Sequence, residues 1–245
     1  LSFLAVLVAL ATLRTSGRPD ATGPVERPLE ALRVGLRFVF TTPIMIWTMA
    51  LDFVATFFSG SNSLLPIFAD QVLRVGPIGY GWLVAAPAVG ALLGSLYTSV
   101  FPLPERQGRI FLGSVAAYGA ATVVYGLSRS FPLTLLALAG TGLADLVSTV
   151  IRQTLRQLLT PDALRGRMTS VNMIFFMGGP QLGELEAGLL ASLFASATVG
   201  VTVSVVSGGL ATILAVAVIA ARAPLVREYR ASRPPAGGGP GQKSI

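Results

Sequence analysis

The chain has 245 residues, 53% hydrophobic and 12% charged, with a net charge of +7 and neither Cys nor His. A soluble domain carries about 25% charged residues, so this composition belongs in a bilayer, as does the mean hydropathy of +0.72. The missing residue types exclude disulfides, Cys or His metal sites, thiol nucleophiles and His-based catalysis, and no metal or cofactor is expected.

Residues Leu1–Leu13 are apolar but too short to span and lack the basic start of a signal peptide. They read as the end of a helix that begins upstream, which makes the chain a fragment. Residues 14–42 form a polar linker. Its first part, Ser16–Pro28, is rich in Pro, Gly and acids and is expected to be mobile. Leu29, Leu32, Leu36 and Val39 then recur at helical spacing with Arg33 and Arg37 on another face. That pattern predicts an amphipathic helix at the cytoplasmic lipid surface.

Crossing about 30 Å of hydrocarbon takes roughly 20 apolar residues. Six segments qualify within residues 43–221: Pro43–Phe68, Gly79–Phe101, Ile110–Leu127, Phe131–Val150, Thr169–Phe194 and Ala197–Ala221. The expected fold is an all-α membrane protein of six transmembrane helices. Of the 18 basic residues, all but Arg74 and Arg129 fall on one side of these spans, so that side is cytoplasmic. The basic residues lie between spans rather than in one patch, which argues against a nucleic-acid partner. Lys243 is the only lysine, as in a GC-rich bacterial genome.

Between the fourth and fifth spans, Ile151, Leu155, Leu158 and Leu159 share a helical face. Thr160-Pro161 reads as an N-cap with a first-turn proline, so two short cytoplasmic helical pieces are expected there. Residues 222–245, which include a PPAGGGPG run, read as a disordered cytoplasmic tail.

Small residues recur at four-residue spacing, as at Gly90 and Gly94 and at Gly179 and Gly183, which allows helices to approach closely in lipid. Gly178-Gly179-Pro180 predicts a kink in the fifth span, because proline removes a backbone hydrogen bond.

Acids inside apolar segments are the candidate functional groups. Asp52 lies about 13 Å into the first span, near the midplane. Asp145 lies in the inner half of the fourth span, and Glu184 and Glu186 in the outer half of the fifth. Acids at such depth must face water or a partner. Asp52, Asp145 and Glu184 are therefore candidates for a substrate or proton pathway. A structural role stays open: Asp145 and Arg152 are two helical turns apart on one face and can pair. An intramembrane enzyme would have only Asp52 with Asp145 as a dyad, and no enzymatic activity is expected.

Pro104-Glu105-Arg106-Gln107-Gly108-Arg109, between the second and third spans, resembles the cytoplasmic D-R-x-G-R loop of the major facilitator superfamily. It departs from that loop by Glu for Asp, by Ile110 where a basic residue is usual, and by Phe101 where the motif begins with Gly. Leu65-Pro66-Ile67-Phe68-Ala69 closes the first span. Pro161–Arg167 is followed by Leu182-Gly183-Glu184 and Gly188. Together these resemble the branch that contains the enterobactin exporter and related bacterial drug-efflux proteins. The resemblance implies the C-terminal half of a twelve-helix transporter, built of inverted three-helix repeats around a central cavity, with the N-terminal half missing. It implies gating roles for Glu105, Arg106, Gly108 and Arg109, and for Arg165, Gly166 and Arg167. It also implies a bacterial inner-membrane protein that exchanges protons for a small amphipathic molecule, a siderophore or a drug. Nutrient uptake by the same fold and a non-transporting scaffold are the alternatives.

Overall fold

The computed structural model describes residues 28–58, 62–101 and 104–229. The expected upstream helix end at Leu1–Leu13, the linker before Pro28 and the tail beyond Tyr229 lie outside them. Every regular element among the described residues is helical.

Helix α1, Pro28–Thr41, is amphipathic: Val39 is 2% exposed and packs with Met45, Met168 and Val171, while Arg33 and Arg37 face outward. The chain then bends by 103° into α2, Pro43–Phe58. Thr42 makes the corner, where its carbonyl accepts the Met45 N–H at 2.9 Å and Pro43 supplies a first-turn residue that needs no donor.

The expected first span, Pro43–Phe68, is not one helix. The poor helix formers of Ser59-Gly60-Ser61-Asn62-Ser63 follow Phe58. A 3-10 turn at Asn62–Leu64, an α turn at Leu65–Ile67 and a wide π turn at Phe68–Leu73 come next. Arg74, at φ 54°, stops the run in the left-handed region.

Five further helices complete the bundle. They are α3 (Gly76–Val100), α4 (Gln107–Leu127), α5 (Phe131–Leu159), α6 (Arg165–Ser192) and α7 (Ala197–Arg222), with a short α8 (Pro224–Glu228) after them. Four of them, α3, α4, α5 and α7, are long and apolar enough to cross a membrane, and the bent α1–α2 pair makes a fifth if counted as one span. The count therefore falls short of the six spans expected. Helix α2 is short at 16 residues, and α6 is diluted by Arg165, Arg167, Glu184 and Glu186 along its 28 residues.

Helix α5 corrects the reading of the following loop. It runs unbroken through Ile151 and Leu155, both buried, to Leu159. One 3-10 turn, Asp162–Leu164, then leads into α6. Two separate helical pieces are absent, and the Thr160 hydroxyl is buried with no hydrogen-bond partner rather than capping a helix.

The main helix pairs are α3 with α5, α6 with α2, α4 with α5, α7 with α2, and α4 with α7. Exchanging the triplet α2–α4 for α5–α7 turns each pair into another of the set. Helix α6 also packs along α7, and α3 and α4 have no equal contact. Close approach needs small residues: a Cβ on Gly90 would overlap the Ala139 carbonyl, and one on Gly142 the Pro87 carbonyl. Leu92, Leu96, Leu136 and Leu214 point outward, as lipid-facing residues do.

Candidate functional site

Asp52 sits in the middle of α2, where Thr48 and Thr56, one turn to either side, return their hydroxyls to the carbonyls of Ile44 and Asp52 at 2.9 and 2.8 Å. Those bonds leave the carboxylate as the one strong acceptor this turn points at its neighbours. It is met by Arg152 of α5, in an ion pair whose side chains are only 17–18% exposed. Arg152 also donates to the Thr149 hydroxyl at 2.9 Å, and its Nε is buried without a partner.

The pair lies where two cavities meet. The larger, about 280 Å³, is walled by Tyr118, Thr122 and Tyr125 of α4, Pro87 of α3, Thr141 and Asp145 of α5, and Phe176 and Pro180 of α6. The smaller, about 50 Å³, lies beside Ile44, Thr48, Gln153, Arg156 and Asn172. Asp52, Thr149, Arg152 and Phe176 line both. The larger cavity thus holds two carboxylates and one guanidinium against aromatic and hydroxyl walls. Such a mixture can hold an amphipathic molecule and exchange a proton or an ion pair with it.

The structure places the sequence candidates unequally. Asp52 and Asp145 share the larger cavity. Glu184, half-buried on α6, lines neither cavity. Glu186 borders a separate apolar groove with Phe57, Leu182 and Leu189. The pairing of Asp145 with Arg152 is not found, because Arg152 turns to Asp52 on the other helix. Sequence reasoning offered Arg152 to Asp145 alone and placed it beyond the end of the fourth span; its partner Asp52 is what it missed. The apolar run ends at Val150, although Ile151 and Leu155 carry the helical spacing onward.

The kink region also resolves. Helix α6 passes through Pro180 without a break. Gly179 lies against Thr56, and a Cβ on Gly183 would overlap the Phe57 carbonyl, so both sit at the crossing with α2, whereas Gly178 has open space. Of the loop candidates, Glu105, Arg106 and Arg109 are exposed, and Gly108 is buried under Val226. Arg165 pairs with Asp162 at 2.8 Å, Gly166 is exposed and Arg167 is half-buried, all in the first turn of α6.

Residues 1–235 match the family described as a transmembrane secretion effector. Among curated proteins, the chain is 30% identical over 195 residues to the "Multidrug efflux pump Tap" of Mycolicibacterium fortuitum, covering 78% of this chain and 47% of that protein. It is 28% identical over 187 residues to the "Enterobactin exporter EntS" of Escherichia coli O81 (strain ED1a), covering 76% and 45%. The chain spans about half the length of the curated relatives it matches. No solved structure matches it.

Proposed function

The chain belongs to the transmembrane secretion effector family of the major facilitator superfamily, and we propose that it is one half of a proton-coupled efflux transporter. The observation that carries this reading is the cavity in which Asp52 of α2, Asp145 of α5 and the bridging Arg152 meet. Helices α2 and α5 head the two helix triplets, so the acids stand on equivalent elements facing one space. The second half of the transport unit, supplied by a longer protein or another chain, closes the opposite wall.

The mechanism follows from the ion pair. A buried guanidinium held by a carboxylate is stable only while the carboxylate is charged. A proton reaching Asp52 releases Arg152, which can then swing toward Asp145 two turns along its own helix. That exchange opens the partition between the two cavities and changes the charge offered to a bound molecule. Substrate leaving in one direction and a proton entering in the other would then use the same residues in alternation. The substrate is a small amphipathic molecule, a siderophore or a drug, as the relatives' names indicate for those proteins.

Comparing small molecules inside and outside cells, with and without the intact gene, under iron starvation and iron sufficiency, tests direction and substrate class together. Retention of a siderophore or of an added drug in the deletion cells is expected. Depletion of a nutrient inside those cells would instead make the protein an importer.

A further inference from the structure

We propose that the hollow between the α3–α4 loop and α8 binds the phosphate headgroup of an anionic phospholipid. This cavity measures about 480 Å³ and is lined by Arg106, Arg109, Arg227, Glu228 and Tyr229. It exists because α8 folds back onto the start of α4. Val226, 1% exposed, is sunk into the core beside Ala223 and Phe111. The Gly108 N–H donates to the Tyr229 carbonyl at 3.1 Å, and a Cβ on residue 108 would overlap the Val226 carbonyl. Three guanidinium groups are thus gathered into one hollow by fixed backbone contacts, rather than scattered along a loop.

The charge in the hollow is unbalanced. Arg227 approaches its neighbour Glu228 at 3.4 Å, with both side chains exposed. Arg106 and Arg109 make no ion pair or side-chain hydrogen bond among the described residues. Three cations therefore face one carboxylate. Guanidinium groups bind phosphate oxygens through two parallel hydrogen bonds, and a group of them at one site selects phosphate over weaker acceptors.

The position selects a lipid as the source of that phosphate. Helix α4 begins at Gln107 and α7 ends at Arg222, so the hollow lies at the ends of two membrane-crossing helices, at headgroup height. Leu225 on α8 and Val100 and Phe101 at the end of α3 are 52%, 70% and 56% exposed. Acyl chains can cover these apolar residues, and a soluble phosphate cannot. Basic pockets at the ends of transmembrane helices recognise anionic headgroups in this way. The inference needs only the membrane placement of α4 and α7, and not the transport reading.

The test uses the full chain purified in detergent, titrated with phosphatidylglycerol or phosphatidylcholine, with retained lipid counted by native mass spectrometry. Phosphatidylglycerol is expected to be retained in preference. Arg106→Gln/Arg109→Gln should weaken that retention about twenty-five-fold, taking roughly fivefold per surface arginine. Arg33→Gln/Arg37→Gln, the same charge loss on α1, should leave it unchanged. Equal retention of phosphatidylcholine, or an equal loss in the α1 variant, would overturn the site in favour of diffuse surface charge. Displacement by a large excess of inorganic phosphate would overturn the lipid assignment in favour of a soluble phosphate ligand.

Discussion

The guanidinium of Arg152 lies in a half-buried position with one carboxylate to hold it and one hydroxyl beside it. Removing one partner of such a pair leaves the other charge uncompensated and costs about 3–5 kcal/mol. Arg152→Gln should therefore lower the melting temperature of the detergent-purified protein, and Asp52→Asn/Arg152→Gln should recover most of the loss. An unchanged melting temperature in the single variant would mean that the pair contributes nothing to holding α2 on α5. The acids of this site were legible in the sequence because a carboxylate within an apolar run is costly and stands out. The place of Arg152 within the helix was not, since Arg156 follows one turn on and proximity to a basic loop outweighs a weak helical period. The choice by Arg152 of Asp52 over Asp145 is a tertiary matter, because both acids lie within reach and only the crossing of α2 with α5 decides between them.

At the scale of the helices, close crossings organise the bundle. Two glycines of α6, five residues apart, give a direct test of this. A Cβ on Gly183 would overlap the Phe57 carbonyl of α2, while Gly178 has nothing within 4 Å. Gly183→Ala should destabilise the protein by about 1–3 kcal/mol through overpacking. Gly178→Ala should leave it unchanged or slightly more stable, since alanine is the better helix former. Equal melting temperatures for the two variants would contradict the α2–α6 crossing described. Small-residue spacing was enough to mark these surfaces as packing surfaces, but not to say which helix meets which. Element ends were the least legible feature: α5 outran its apolar run by a full loop, and the first span gives way to a 3-10 turn at Asn62–Leu64 and a π turn at Phe68–Leu73. In both places local hydropathy and helix propensity pulled apart.

For the whole molecule, membership of a transporter family, an exchangeable pattern of helix pairs and a cavity with two acids converge on one kind of machine. The membrane class was legible from composition, and the transporter family from the resemblance of the loop motifs. The cavity was not, because it depends on which faces of five helices turn inward. The chain spans about half the length of its curated relatives, and the proposal assigns the opposite wall of the cavity to a second half of the transport unit. The central claim is that Asp52 couples a proton to substrate movement. The most direct measurement uses everted membrane vesicles holding the complete transport unit, with substrate uptake followed before and after a pH gradient is imposed. The account predicts that Asp52→Asn, at equal protein level, loses gradient-driven accumulation while still exchanging labelled for unlabelled substrate. Gradient-driven accumulation at the wild-type rate in Asp52→Asn would contradict it.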